Sequence, residues 1–252
     1  MHYSIARFRS LIRRLLRVVP AFLKHPNLFL LLLKGVHPEH YVRLNVKWLR
    51  DANIRTVIDI GANTGQFSGA ARAVFSHASI YAFEPLPQCF GRLARRFSAD
   101  KDMVAFPLAL GERKGKVEFH ENAYTQSSSV LELEDLHRKS RAWAARTESI
   151  CVEMDRLDDL APQMKLAAKL LVKIDVQGYE YEVLEGGKNV IGSADIVLIE
   201  TAFKALYKGE ASFHRLYQSL SELGFQYAGN LNQATDLETG RPIFADAIFL
   251  RR

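Results

Sequence analysis

Apolar residues run in two rhythms along this chain, and the switches between them predict its architecture. From Thr56 to Ile60 they are contiguous and β-branched, stop at Gly61, and resume at helical spacing through Gln66, Phe67, Ala70 and Ala71. That is the pattern of a buried parallel strand, a turn and a helix. Ser79 to Phe83 reads as a second strand, tipped by Glu84 and Pro85. A helix near 87–97 follows, then a strand over 103–108 and a turn between Gly111 and Gly115 into a strand over 116–120, read as a hairpin. Leu170 to Ile174 is a third buried strand ending at Asp175, with Gly178 turning the chain into a helix that carries Glu180, Val183 and Leu184. Ile196 to Ile199 repeats the logic with Glu200 at its tip, and a helix over 213–223 with strands over 225–228 and 245–250 completes the pattern. A helix over 39–52 leads into the first strand. Strands alternating with helices predict an α/β domain with a mostly parallel central sheet and helices on both faces.

The strand ends carry the candidate chemistry. Gly61 and Gly65 let the backbone come close to a ligand and face it with a helix N-terminus. Glu84 suits a ribose diol, because an ionised acid accepts two hydroxyl protons at once. The dinucleotide fingerprint needs three glycines, the second clearing space for a pyrophosphate, and here Asn63 and Gln66 stand where the second and third belong. A nucleoside cofactor without phosphate is therefore expected. Ligands of open α/β sheets lie beyond the carboxyl ends of the strands, so Asp59, Glu84, Asp175 and Glu200 are expected to converge on one crevice.

Composition narrows the class. The chain has 252 residues, 48% hydrophobic and 25% charged, which fits a soluble globular protein and excludes a disordered or multi-span one. Its net charge of +6 is uneven: residues 1–50 hold ten Lys or Arg and one acid, Glu39, for +9, and residues 51–252 carry −3. The body is thus slightly acidic and lacks interleaved basic and aromatic residues, so nucleic acid is not an expected partner. In the arm, Ile5, Phe8, Leu11, Ile12, Leu15, Leu16 and Val19 recur at three and four while five arginines fill the other face, predicting a basic amphipathic helix. The later run Leu28 to Leu33 is too short for the ~20 apolar residues of a membrane span. Two readings follow: an interfacial helix on anionic lipid at the cytoplasmic face, or a helix packed on the body or on a second copy. Cys89 and Cys151 match no metal or redox spacing and read as reduced thiols of a cytoplasmic protein.

Taken together, V-I-D-I-G-A-N-T-G-Q-F-S over 57–68, Y-A-F-E-P over 81–85, Pro107 to Gly111, the serine loop 126–129, M-D-R-L-D-D-L over 154–160, K-I-D-V-Q-G-Y-E over 173–180 with V-L-E-G after it, and V-L-I-E over 197–200 resemble the FkbM-type methyltransferases across roughly 55–250. The resemblance implies a class I, Rossmann-like methyltransferase domain over 37–252 behind an arm of 1–36. It also implies S-adenosylmethionine as cofactor and O-methylation of a sugar, polysaccharide or secondary metabolite. Asp59, Gly61, Asn63, Gly65, Glu84 and Pro85 would hold the donor. Asp175 would accept or orient the hydroxyl proton, with Lys173 and Glu180 shaping the site; alternatively Lys173 and Glu180 pair with each other or cap the following helix. Gln177 departs from the frequent Glu of the family and, as an amide, cannot be the base. Glu200, Phe203, Tyr207 and Asn232, on segments after the last crevice strands, offer acceptor contacts, though Phe203 and Tyr207 could equally close the core. Asp175 with Glu200 could hold a divalent cation, but histidine ligands with suitable spacing are absent and no metal is expected. His214 reads as an ordinary helix residue. A nicotinamide-dependent oxidoreductase and a non-catalytic accessory protein remain as alternatives.

Overall fold

Ten strands form two sheets among the residues that the computed structural model describes: 31–32, 35–122, 125, 128–132, 147–236 and 239–252. The amphipathic arm, and Gln126 and Ser127 of the serine loop, lie outside the described residues. The strands are β1 (Thr56–Ile60), β2 (Ser79–Phe83), β3 (Met103–Phe106), β4 (Ala109–Leu110), β5 (Gly115–Asn122), β6 (Thr147–Asp155), β7 (Leu170–Ile174), β8 (Ile196–Ala202), β9 (Phe225–Thr235) and β10 (Pro242–Arg251). The helices are α1 (Pro38–Leu44), α2 (Lys47–Asp51), α3 (Gln66–Val74), α4 (Pro87–Arg96), α5 (Leu157–Leu160), α6 (Glu180–Gly186), α7 (Lys188–Gly192) and α8 (Phe213–Glu222). The main sheet is seven-stranded in the order β3-β2-β1-β7-β8-β10-β9. Its pairs are parallel from β3 to β8, and β10 runs antiparallel between β8 and β9.

Period-two alternation in the central strands feeds two cores, one on each face. Ile58 and Ile60 pack with Val183, Leu184, Leu216 and Leu220 of α6 and α8, whereas Val57 packs with Leu44, Leu49, Phe67 and Ala70 of α1, α2 and α3. Each fully buried side chain of this kind contributes roughly 1.5–3 kcal/mol, so the sheet centre is the rigid base on which the strand ends are held. At the end of α4, Arg96 reaches across the fold, donating to the carbonyls of Gly35 at 2.6 Å and Gly65 at 2.8 Å. Gly69 leaves room for it, since a Cβ there would lie 2.3 Å from the guanidinium.

Three sequence expectations change. The helix over 39–52 is two helices, because Val46 is extended and the Asn45 side chain, bonded to Tyr41 and Arg50, ends the first. The strand after Gly115 forms no hairpin with β3; it pairs antiparallel with β6, which also pairs with β4, in a separate three-stranded sheet. β6 alternates inward Ile150, Val152 and Met154 with exposed Cys151 and Glu153, a half-buried period that the sequence reading passed over. Finally, 229–233, read as a loop, is the middle of β9, with register shifts against β10 that interrupt the period of two.

Candidate active site

A cavity of about 410 Å³ opens beyond the carboxyl ends of β1, β2, β7 and β8, where the strand order reverses around β1 and β7. At one end, Gly61, Ala62, Asn63, Gln66, Glu84 and Pro85 form the wall. The five backbone N–H groups of the turn are already donated: Gly61 and Ala62 to the Phe83 carbonyl at 3.0 and 2.9 Å, Gly65 to that of Ala62 at 2.9 Å. Asn63 N donates to Glu84 Oε2 at 2.8 Å, and Thr64 N to the Asn63 side chain at 2.9 Å. Nothing in the turn is left to cradle a pyrophosphate, which strengthens the expectation drawn from the missing glycines. Gly61, at φ +76°, is required by a close approach, because a Cβ there would lie 1.9 Å from the Asp175 carbonyl oxygen. Gly65, at φ +81°, packs on Phe97 and Leu93 and is not part of the cavity wall.

Glu84 is 4% exposed, yet its carboxylate reaches the cavity. Each oxygen accepts one backbone N–H, Asn63 at 2.8 Å and Leu86 at 2.8 Å, which leaves a lone pair on each for a ligand diol. Burial pushes its carboxyl up to about 7 against the pull of those two N–H groups. A carboxylate desolvated and oriented before any ligand arrives, beside a turn without free phosphate donors, fits the ribose of an adenosyl donor that carries no phosphate.

Asp59 lies beneath this wall rather than in it. It is fully buried, accepts Ser68 Oγ at 2.6 Å, and faces Lys173 Nζ at 3.2 Å. Lys173 also lies 3.5 Å from Asp175 and donates to the Gly61 carbonyl at 3.0 Å, so it joins the tips of β1 and β7. Burial pulls its ammonium down, but Asp59 and Asp175 together outweigh that and hold it above the usual lysine range. Removing one partner of such a buried pair costs about 3–5 kcal/mol.

The other end of the cavity gathers Asp175, Gln177, Glu200 and Tyr207. Gln177 sits at φ +59° with its amide between the two acids, donating to Asp175 Oδ1 at 2.8 Å and to Glu200 Oε2 at 2.5 Å. Its amide oxygen accepts Tyr207 Oη at 2.8 Å, and its carbonyl accepts the buried Ser129 hydroxyl at 2.6 Å. Gln177 is thus no base, as its chemistry dictates, but it sets the spacing of the two acids. Burial, then the charge of Asp175, raises Glu200 well above the carboxylate range. Glu180 is buried away from the cavity: it accepts Val176 N at 2.9 Å and Gly178 N at 3.0 Å, so it braces the turn before α6 and neither pairs with Lys173 nor caps the helix.

The remaining expected contacts divide. Asn232 lines the cavity and lies opposite Asp246 in the β9–β10 ladder. Phe203 is 43% exposed and packs at a tilt against Phe213 outside it. His214 is exposed on α8. Wall residues that went unnoticed in the sequence include Glu39, His40 and Arg43 on α1, and Asp246 on β10. Burial, then His37, Arg43 and Lys173, drives the His40 imidazole down to about 3, so it is neutral. Arg43 lies 3.8 Å from Asp246, whose carboxyl is raised to about 6 by burial and Asp175. Their one signal was the dense polar run 37–43, and the distance to it along the chain hides the contact. Among the described residues no group of three or more His, Cys, Asp or Glu is arranged to hold a metal, and no helix is long and apolar enough to cross a membrane.

Known proteins share this arrangement of segments. The 2-O-methyltransferase NoeI of Sinorhizobium fredii is 27% identical over 161 residues, 61% of this chain and 66% of that protein. The hexuronic acid methyltransferase AglP of Haloferax volcanii is 27% identical over 143 residues, 56% of this chain and 54% of that one. The chain therefore spans between about half and just under two thirds of the curated relatives it matches. The crystal structure of an FkbM methyltransferase from Methylobacillus flagellatus KT aligns with a TM-score of 0.50 at 13% identity, over 79% of this chain and 44% of that one, and shares the class I fold. The Methyltransferase FkbM domain model matches residues 59–227, a stretch that holds the turn over 61–65, Glu84 and the Asp175–Glu200 pair; this chain belongs to the FkbM methyltransferase family, whose donor is S-adenosylmethionine.

Proposed function

We propose that this protein transfers a methyl group to a hydroxyl oxygen of a saccharide or related small-molecule acceptor. The observation that carries the reading is one cavity with Glu84 and a turn whose five N–H groups are already donated at one end, and a pair of bridged carboxylates at the other. S-adenosylmethionine would supply a methyl group already activated by its sulfonium. What remains for the protein is to align the acceptor oxygen and take its proton, and alignment alone can supply about 7–11 kcal/mol of the barrier. Glu84 and the turn over 61–63 would fix the adenosyl part. Asp175, partly exposed at the cavity and held by Gln177 and Lys173, takes the hydroxyl proton or orients it, with Glu200 as the neighbour that shares the load of charge. Saccharide acceptors are supported by the 2-O-methyltransferase and the hexuronic acid methyltransferase among the relatives.

Calorimetry with S-adenosylhomocysteine and with NAD tests the donor. Binding of the first alone is expected, and binding of NAD alone would turn the reading toward an oxidoreductase. Labelled S-adenosylmethionine with a glycan extract then tests transfer. The basic arm, residues 1–36, fits contact with anionic lipid; replacing Arg7, Arg9, Arg13, Arg14 and Arg17 by Glu should release the protein from anionic vesicles in a sedimentation assay.

A further inference from the structure

We propose that the acceptor end takes a neutral or amino-bearing polyol and rejects a ring that carries a carboxylate. This deepens the methyl-transfer reading and rests on it. The wall there presents Asp175, Glu200, Asp246 and Glu39 from four different elements. Among the described residues its two permanent cations are both engaged: Lys173 Nζ lies 3.2 Å from Asp59 and 3.5 Å from Asp175, and Arg43 lies 3.6 Å from Glu39 and 3.8 Å from Asp246. His40, the remaining basic group on the wall, is held neutral by burial and by those same cations.

An entering carboxylate would meet Asp175, Glu200 and Asp246 and would have to displace an existing partner from Arg43 or Lys173 before it found a cation. Desolvating an anion without a new partner is far costlier than desolvating a hydroxyl. Hydroxyls meet the opposite situation. Carboxylates accept them in pairs, Asn232 and the neutral imidazole of His40 can donate or accept, and an ammonium would be stabilised by the surplus of acids. Burial first, and then the charge of Asp175, already makes Glu200 and Asp246 retain protons more readily than free carboxyls. Arg43 and Asp246 both lie outside the stretch 59–227 matched by the family model, so this selectivity belongs to the flanking helix and strand of this chain.

The test uses the full chain saturated with S-adenosylhomocysteine and titrated with methyl glycosides of gluco, galacto and manno configuration, each as the neutral sugar, the 2-amino sugar and the uronate. Turnover with labelled S-adenosylmethionine is measured on the same panel. In the preferred configuration the neutral or amino form should bind, or be labelled, at least about tenfold better than its uronate. Asp246→Asn, which takes one of its two carboxylates from Arg43, should narrow that ratio severalfold, and Glu39→Gln, which takes the other, provides the same readout if the first variant folds poorly. A uronate that equals or exceeds its neutral counterpart overturns the proposal. So does a ratio unchanged in both variants, or a panel in which no polyol binds while S-adenosylhomocysteine does. Failure of S-adenosylhomocysteine itself to bind is read separately and overturns the methyl-transfer reading together with this one.

Discussion

The two ends of the cavity are built in different ways. The donor end is made of backbone: five consecutive N–H groups with fixed partners, a glycine at positive φ against a carbonyl, and one carboxylate clamped by two amides. The acceptor end is made of side chains from α1, β8, β10 and the segments after β7 and β8, joined by an amide and ion pairs. A backbone-built end can bind a constant ligand with little tolerance for change. A side-chain-built end can be retuned by single substitutions while the fold stays intact.

The sharpest way to break this contrast is at Asp175. Asp175→Asn should lower turnover by roughly 10²–10⁴-fold while S-adenosylhomocysteine still binds, as measured by single-turnover labelling beside calorimetry. Equal loss of both would show that the two ends are not separable. Next in size is Lys173→Ala, which strands the fully buried Asp59; the melting free energy should fall by about 3–5 kcal/mol in denaturant titration. Glu84→Gln keeps the shape of the donor end but removes its charge. Donor-analogue affinity should drop by about 10–100-fold, the worth of hydrogen bonds to a charged acceptor, with turnover at saturation nearly unchanged.

A pH titration sharpens the same point. Glu84 has a pKa raised to about 7 in the donor-free protein, and a diol needs the ionised form, so affinity should be flat above that pH and fall by up to about tenfold per unit below it. In Glu84→Gln the slope should vanish. The raised folded values of Glu84 and Glu180, about 7 and about 8, also fix the sign of stability: it is fullest below their unfolded value and declines as pH rises through the folded ones. The smallest effect is expected from Tyr207→Phe. It leaves the amide oxygen of Gln177 without that donor, and turnover should fall by about 5- to 30-fold, the equivalent of about 1–2 kcal/mol, with donor affinity unaltered.

The same contrast explains what could be read in the sequence. The donor end was legible because its parts are local: the β-branched run of β1, the turn over 61–65 and the acid closing β2 lie within thirty residues and follow backbone rules. Asp175 and Glu200 were legible too, since parallel strands present their tips to one crevice. Their bridge was not. Gln177 looked like a defect in a family pattern, and only its left-handed backbone turns the amide between the two acids. Arg43 and Asp246 meet across about two hundred residues of chain, and bulges in β9 and β10 blurred the alternation that would have marked Asn232 as a strand residue. Gly65 and Glu180 show the converse: motif residues whose partners here are the fold itself, Phe97 and Leu93 for one and the N–H groups of 176 and 178 for the other.

Arg96 gives these ends a common dependence on the start of the chain. One guanidinium fastens the Gly35 carbonyl to the Gly65 carbonyl, and Val36 beside it is buried among the residues under α1. Trimming the polypeptide to His37 to obtain a tidier expression product would leave that guanidinium without one of its acceptors and unpin the helix bearing Arg43. Shortened versions that keep Leu31 onward should retain ligand binding, and those that start at His37 should lose it even though every described residue lining the cavity is still there.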